Sequence, residues 1–190
     1  MGSKQSGLDA LERGEQARRD KCPSDARMAF AEAAEVFQRR GAWAEFSHSL
    51  TRQAQIERDT GDFDKAIAFQ EQALAIARDL NDNKNLAHVI RHMGDILQSA
   101  GRHNDADPYY REMLALYQSL SDVPPLEFAN AVRSVAMHEQ NCGNTDEACR
   151  LWHEARDLYA GLDEVFRAMT GSNANPGVAE ADRRLAALQP

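Results

Sequence analysis

The chain alternates apolar and polar positions with helical spacing almost throughout. Leu86, Val89, Ile90, Met93, Ile96 and Leu97 recur at three- and four-residue steps, and so do Ala66, Phe69, Ala73, Leu74, Ile76 and Ala77. Such spacing places the apolar side chains on one stripe of a helix. Alternating Val-, Ile- or Thr-rich runs, the mark of half-buried strands, are scarce. The pattern predicts an all-α protein.

The stripes are punctuated at regular intervals. Gly61-Asp-Phe-Asp-Lys-Ala66, Gly101-Arg-His-Asn-Asp-Ala106 and Gly143-Asn-Thr-Asp-Glu-Ala148 align without gaps, their glycines 40 and 42 residues apart. A further step back of 40 residues reaches Lys21, with Ala26 in the alanine position. Seven residues before each turn stands a small residue: Gly14, Ala54, Gly94 and Ala136. Twelve after it come Ala33, Ala73, Met113 and Ala155, and nine after it Phe30, Gln70, Tyr110 and Trp152. Each copy therefore reads as two helices joined by a tight turn. Glycine at the turn permits the positive φ that ends a helix, and Asp62 or Asn144 can cap the helix that follows. A Gly or Ala on the first helix facing an Ala on the second allows close approach. The predicted organisation is a flexible start over 1–6, four hairpins over 7–170, a linker over 171–177, and a capping helix and tail over 178–190. Asn81–Asn85 and Ser121–Pro125 read as links between copies.

These columns resemble the tetratricopeptide repeat, over roughly residues 7–188. The copies exceed the usual repeat of about 34 residues. Segments such as Glu71–Asp82 are similar to the longer variant of kinesin light chains and G-protein-signalling modulators. Glu57 and Glu139 stand where that family usually places an aromatic residue. The resemblance implies a right-handed α-solenoid of antiparallel hairpins whose first helices line a concave groove. Its groove positions fall here on Leu8, Leu11, Glu15, Arg18 and Arg19, then His48, Thr51, Gln55, Arg58 and Asp59. Next come His88, Arg91, Asp95, Gln98 and Ser99, then Asn130, Arg133, Met137, Gln140 and Asn141, with Arg183 from the last helix. Leu11 and Glu15 occupy places where a chaperone-tail clamp needs Lys and Asn, so that ligand is disfavoured.

Composition sharpens the functional expectation. The 190 residues carry 22 Lys and Arg against 30 Asp and Glu, a formal net charge of −8. That balance argues against binding nucleic acid through phosphates. Nothing approaches the roughly 20 apolar residues of a membrane span. The predicted groove is instead basic: Arg18, Arg19, Arg58, Arg91, Arg133 and Arg183 outnumber Glu15, Asp59 and Asp95. Arg91, Arg133 and Arg183 share one column and are expected to be exposed, where arginine suits bidentate contacts to carboxylates. The expected function is an adaptor that holds an acidic or extended peptide. The alternatives are a regulatory domain for a small ligand or signalling peptide and, more remotely, a metal-dependent enzyme.

Phosphate-loop, nucleophile-elbow and HExxH motifs are lacking, so an enzyme is not expected and no cofactor is assigned. Two sets of possible metal ligands remain. His88, His92 and Asp95 lie a turn apart, but two histidines leave a structural zinc short of ligands, and His92 and Asp95 also read as ordinary polar surface. His138, Cys142, Cys149 and His153 mirror one another across Gly143, in positions that other copies use for packing. The three cysteines, with no CxxC spacing, fit a reducing, cytoplasmic setting. Met1–Ser6 matches the short acylation pattern MGxxxS, read here as a flexible start.

Overall fold

A computed structural model describes residues 4–172 and 174–188 of the chain. Among them every regular element is a helix: α1 Lys4–Arg19, α2 Pro23–Arg39, α3 Trp43–Asp59, α4 Phe63–Asp79, α5 Asn83–Ser99, α6 His103–Ser119, α7 Pro125–Asn141, α8 Thr145–Ala160, α9 Asp163–Thr170 and α10 Pro176–Leu188. They pack in successive pairs, the arrangement of a tetratricopeptide-like solenoid. Two compact units divide the chain between Tyr109 and Tyr110, within α6.

The four turns close in one way. Cys22, Asp62, Arg102 and Asn144 each donate their backbone N–H to the carbonyl five residues earlier, at 2.8–2.9 Å. This is the Schellman closure, which needs a left-handed residue just before the donor. Gly61, Gly101 and Gly143 supply it at φ of 85°, 74° and 81°. The first copy, without glycine, forces Lys21 to φ 57°. Asp62 caps α4 by accepting from Lys65 N. Asn144 does not cap α8; its amide donates to Glu139 Oε2 at 2.6 Å. The link at 81–85 is also shorter than expected, since α5 begins at Asn83 under the Asp82 cap.

In the first unit the small residues decide helix spacing. Ala26, Ala33, Ala54, Ala66 and Ala73 are fully buried. A Cβ on Gly14 would lie 2.4 Å from Phe30 Cε1. The space opposite Gly14 is thus filled by an aromatic ring from the nine-after column. Gln70, the polar exception in that column, is also fully buried and donates to the Val89 carbonyl at 2.7 Å.

In the second unit Trp152 is fully buried and its indole N–H donates to Gln140 Oε1 at 3.1 Å. The chain after α8 departs from expectation. Residues up to 170 do not all belong to the fourth hairpin, because α9 is a separate helix. The last helix starts at Pro176, two residues early, where Asn175 Oδ1 accepts from Gly177 N at 3.0 Å. The same side chain donates to the Tyr159 carbonyl at 2.7 Å and to Asp163 Oδ1 at 2.9 Å. A Cβ on Gly177 would come within 2.5 Å of the Tyr159 ring. With Ala181 and Leu185 buried, α10 packs on α8. At the other end, α1 begins at Lys4, within the stretch 1–6, while the acylation pattern's Gly2 lies outside the described residues.

Candidate functional site

The predicted groove residues of the first unit converge on the polar faces of α1, α3 and α5. Thr51 and Gln55 are buried at 1 % exposure, although both were expected to face a ligand from the surface. Arg91 is buried as well, at 9 % exposure, which corrects its expected exposed position. Its carrier α5 has a strongly apolar stripe on one side, and packing that stripe draws the guanidinium of Arg91 inward too.

One hydrogen-bonded chain joins these groups. Arg52 Nη1 donates to Gln55 Oε1 at 2.8 Å, which fixes the amide so that its Nε2 must donate. That nitrogen lies 3.0 Å from Nε2 and 3.2 Å from Nδ1 of His92. Arg91 Nη2 stands 3.2 Å from His92 Nε2, and Arg91 Nη1 donates to Asp95 Oδ2 at 3.2 Å. Donors on two sides require His92 to accept, so it is held neutral as the Nδ1–H tautomer, with Asp95 Oδ2 3.8 Å from Nδ1. Burial, then the charge of Arg91 and the neighbouring cations, depresses its pKa well below the usual value. His92 is therefore an interior group, not polar surface.

His48 and His88 sit half-buried at the edge of this network. The His88 ring meets His92 edge-on at 4.6 Å. Burial, then Arg52 and His88, lowers the pKa of His48 to about 4. Carboxylates answer most of the arginines: Arg52 faces Glu15 at 2.6 Å, Arg58 faces Asp59 at 2.7 Å, and Arg18 faces Asp59 at 3.5 Å. Several buried polar atoms of this face make no hydrogen bond; Glu15 Oε1, Arg52 Nε and Arg18 Nε still lie in ion pairs, while Thr51 Oγ1 and Arg91 Nε do not.

In the second unit, Arg133 is spoken for: its Nε and Nη2 donate to both carboxylate oxygens of Glu180 on α10, at 2.6 and 3.0 Å. Asn130 accepts from the Tyr159 hydroxyl at 2.7 Å. Arg183 is exposed on α10.

Sequence reasoning missed Arg52 as a member of the site and misread His92. Both lie nine residues before their turns, a column that is polar in all four copies: Glu12, Arg52, His92 and Ser134. That persistence was the available signal. Glu57, which stands in a usually aromatic position, is 5 % exposed and accepts from Arg27 at 2.7 and 3.0 Å. Neither of the two proposed ligand sets forms a centre: among the described residues no group of three or more His, Cys, Asp or Glu side chains could hold a metal. Cys142 is exposed, 3.8 Å from the buried His138 ring nitrogen Nε2, while His153 is exposed on α8.

Residues 45–119 match the family model of the tetratricopeptide repeat. No curated protein matches the chain in sequence. Among solved structures, a kinesin-light-chain-like protein of Podosopora anserina with nearly identical TPR-like repeats is similar at 15 % identity and TM-score 0.71, over 99 % of this chain and 87 % of that one. A Rap protein complexed with competence and sporulation factor is similar at 16 % identity and TM-score 0.75, over 98 % of this chain. This chain spans 54 % of that Rap protein's length. BtubC from P. vanneervenii is similar at 17 % identity and TM-score 0.55, over 98 % of this chain and 93 % of that one.

Proposed function

We propose that this tetratricopeptide-repeat chain is a non-catalytic scaffold that holds an acidic, extended peptide along the first-helix faces of its hairpins. The observation that carries the reading is the stripe of half-buried or buried arginines on α1, α3 and α5: Arg18, Arg52, Arg58 and Arg91. Stability alone favours aliphatic residues at such positions, because removing arginine from water costs free energy that an ion pair only partly returns. Exchanging an intramolecular carboxylate such as Asp59 for a ligand carboxylate keeps each guanidinium satisfied while gaining contacts along the peptide. His48 and His88 border this stripe in the first unit; in the second, Asn130 and Arg133 lie on α7 and Arg183 on α10. The Rap complex supports a related reading, in which the occupant is a signalling factor rather than a segment of a larger protein. Three free cysteines fit a reducing, cytoplasmic setting, and no described helix is long and apolar enough to cross a membrane.

The test uses Arg18 and Arg58, because Arg91 is too buried for a clean charge reversal. Replacing both by Gln leaves only the half-exposed Asp59 without a partner, so helicity is expected to persist. Fluorescence anisotropy with a labelled hexaglutamate peptide is expected to give a Kd that rises with salt for the parent chain. In the double variant the affinity drops at least tenfold. Equal affinity for hexaglutamate and hexaglutamine, with no salt dependence, would rule the reading out.

A further inference from the structure

Two facts about the first unit stand out together. Thr51 and Arg91 occupy the same column of successive first helices, ten residues before their turns, and each keeps a buried polar atom without a partner. A buried unsatisfied donor costs about 1–3 kcal/mol. Thr51 is 1 % exposed and Arg91 9 %, so water reaches neither freely. Arg91 contacts His92 and Asp95, the His88 ring meets His92 edge-on, and the charges of Arg52 and Arg58 act on His92.

We infer that the polar face shared by α3 and α5 is a carboxylate subsite, taking one acidic side chain of the bound peptide between Thr51 and Arg91 together with one proton, which His48 receives. The inference rests on the acidic-peptide reading and adds to it a location and a linked protonation. The Thr51 hydroxyl and Arg91 Nε–H are both donors, the complement of a carboxylate's two acceptor oxygens. His92 cannot take the proton, since Gln55 and Arg91 both aim donors at it. His48 stands one helical turn before Thr51 on α3 and has no such restriction. The charged or titratable groups acting on it are Arg52 on its own helix and His88 on α5. Glu15 on α1 faces Arg52, Arg27 of α2 is held by Glu57, and Lys65 of α4 is held by Asp62. Without a ligand, the burial and cations that surround His48 keep it neutral. A carboxylate arriving beside it reverses the local field, so the anion and the proton bind cooperatively.

Isothermal titration calorimetry with hexaglutamate, at pH 6.0 and 8.0 and in two buffers of different ionisation enthalpy, tests this. If the bound carboxylate restores His48 to an ordinary value near 6.5, binding at pH 6.0 is about fourfold tighter than at pH 8.0, with uptake of most of one proton. His48→Gln is expected to bind with the same affinity at both pH values and without proton uptake. Thr51→Val is expected to bind more weakly at both, its melting temperature showing that it remains folded. Binding by the parent chain that is pH-independent and without proton uptake overturns the subsite but leaves the peptide reading standing. Absence of hexaglutamate binding at either pH overturns both. Inorganic phosphate that binds with the same proton uptake while hexaglutamate does not would also overturn the assignment, making the pocket a phosphate site.

Discussion

Lys21 is the residue at which the repeat departs from its own rule. A left-handed conformation costs an L-residue other than Gly, Asn or Asp about 1–2 kcal/mol, and Lys21 adopts φ 57° because the Schellman closure leaves no alternative. Lys21→Gly is therefore expected to stabilise the chain by about 1 kcal/mol, part of the relief being lost to the greater freedom of glycine in the unfolded state. Urea denaturation checks this; an unchanged or lower midpoint would mean that the Lys21 side chain contributes more than its backbone costs. Gly14 has the opposite constraint. With Phe30 Cε1 2.4 Å from where its Cβ would stand, Gly14→Ala must push the ring aside. The expected loss is about 1–3 kcal/mol, read from the same denaturation curves. Both glycine-type positions were visible in the sequence as columns. The ring that fills the space beside Gly14 was not, since spacing alone cannot distinguish the alanine from the aromatic column as its neighbour.

At the scale of the element, α6 carries Pro108 inside its length. Proline lacks the N–H for the helical bond and its ring presses on the carbonyl four residues back, so Pro108 costs up to about 3 kcal/mol relative to alanine. Pro108→Ala is expected to raise the melting temperature measured by far-UV circular dichroism, with more helical signal. The start of α10 depends on Asn175, whose side chain spans the α8 terminus, α9 and the first turn of α10. That junction explains why the last helix begins earlier than its apolar pattern suggests. The period of Ala181 and Leu185 marks only the buried stripe, while the start is set by a cap whose partners, Tyr159 and Asp163, lie 16 and 12 residues away.

For the whole molecule, pH dependence follows from His48 and His92. His48 and His92 titrate below their ordinary value when folded and near about 6.5 when unfolded. The unfolded chain then binds more protons, so their contribution is complete above that pH and declines as the pH falls. For His48 the decline ends near its folded value of about 4. Each histidine adds a slope of up to about 1.4 kcal/mol per pH unit. The melting temperature is expected to drop between neutral pH and pH 5, with a shallower fall in His48→Gln. A flat profile would show that neither imidazole is held neutral. The sequence by itself determined the all-helical class, the hairpins, their turns and the alanine positions that knit them together, because these depend on periods and residue sizes that recur within each copy. It also pointed to the first-helix columns in which the candidate site is proposed. Only the tertiary structure decided that Arg91, Thr51 and His92 are interior, that Arg133 is committed to Glu180, and that Arg52 bonds Gln55 and pairs with Glu15. Those outcomes depend on pairing between helices, where burial and charge are settled by groups 37 to 47 residues apart in the chain, and a single-helix period carries no information about which partner arrives.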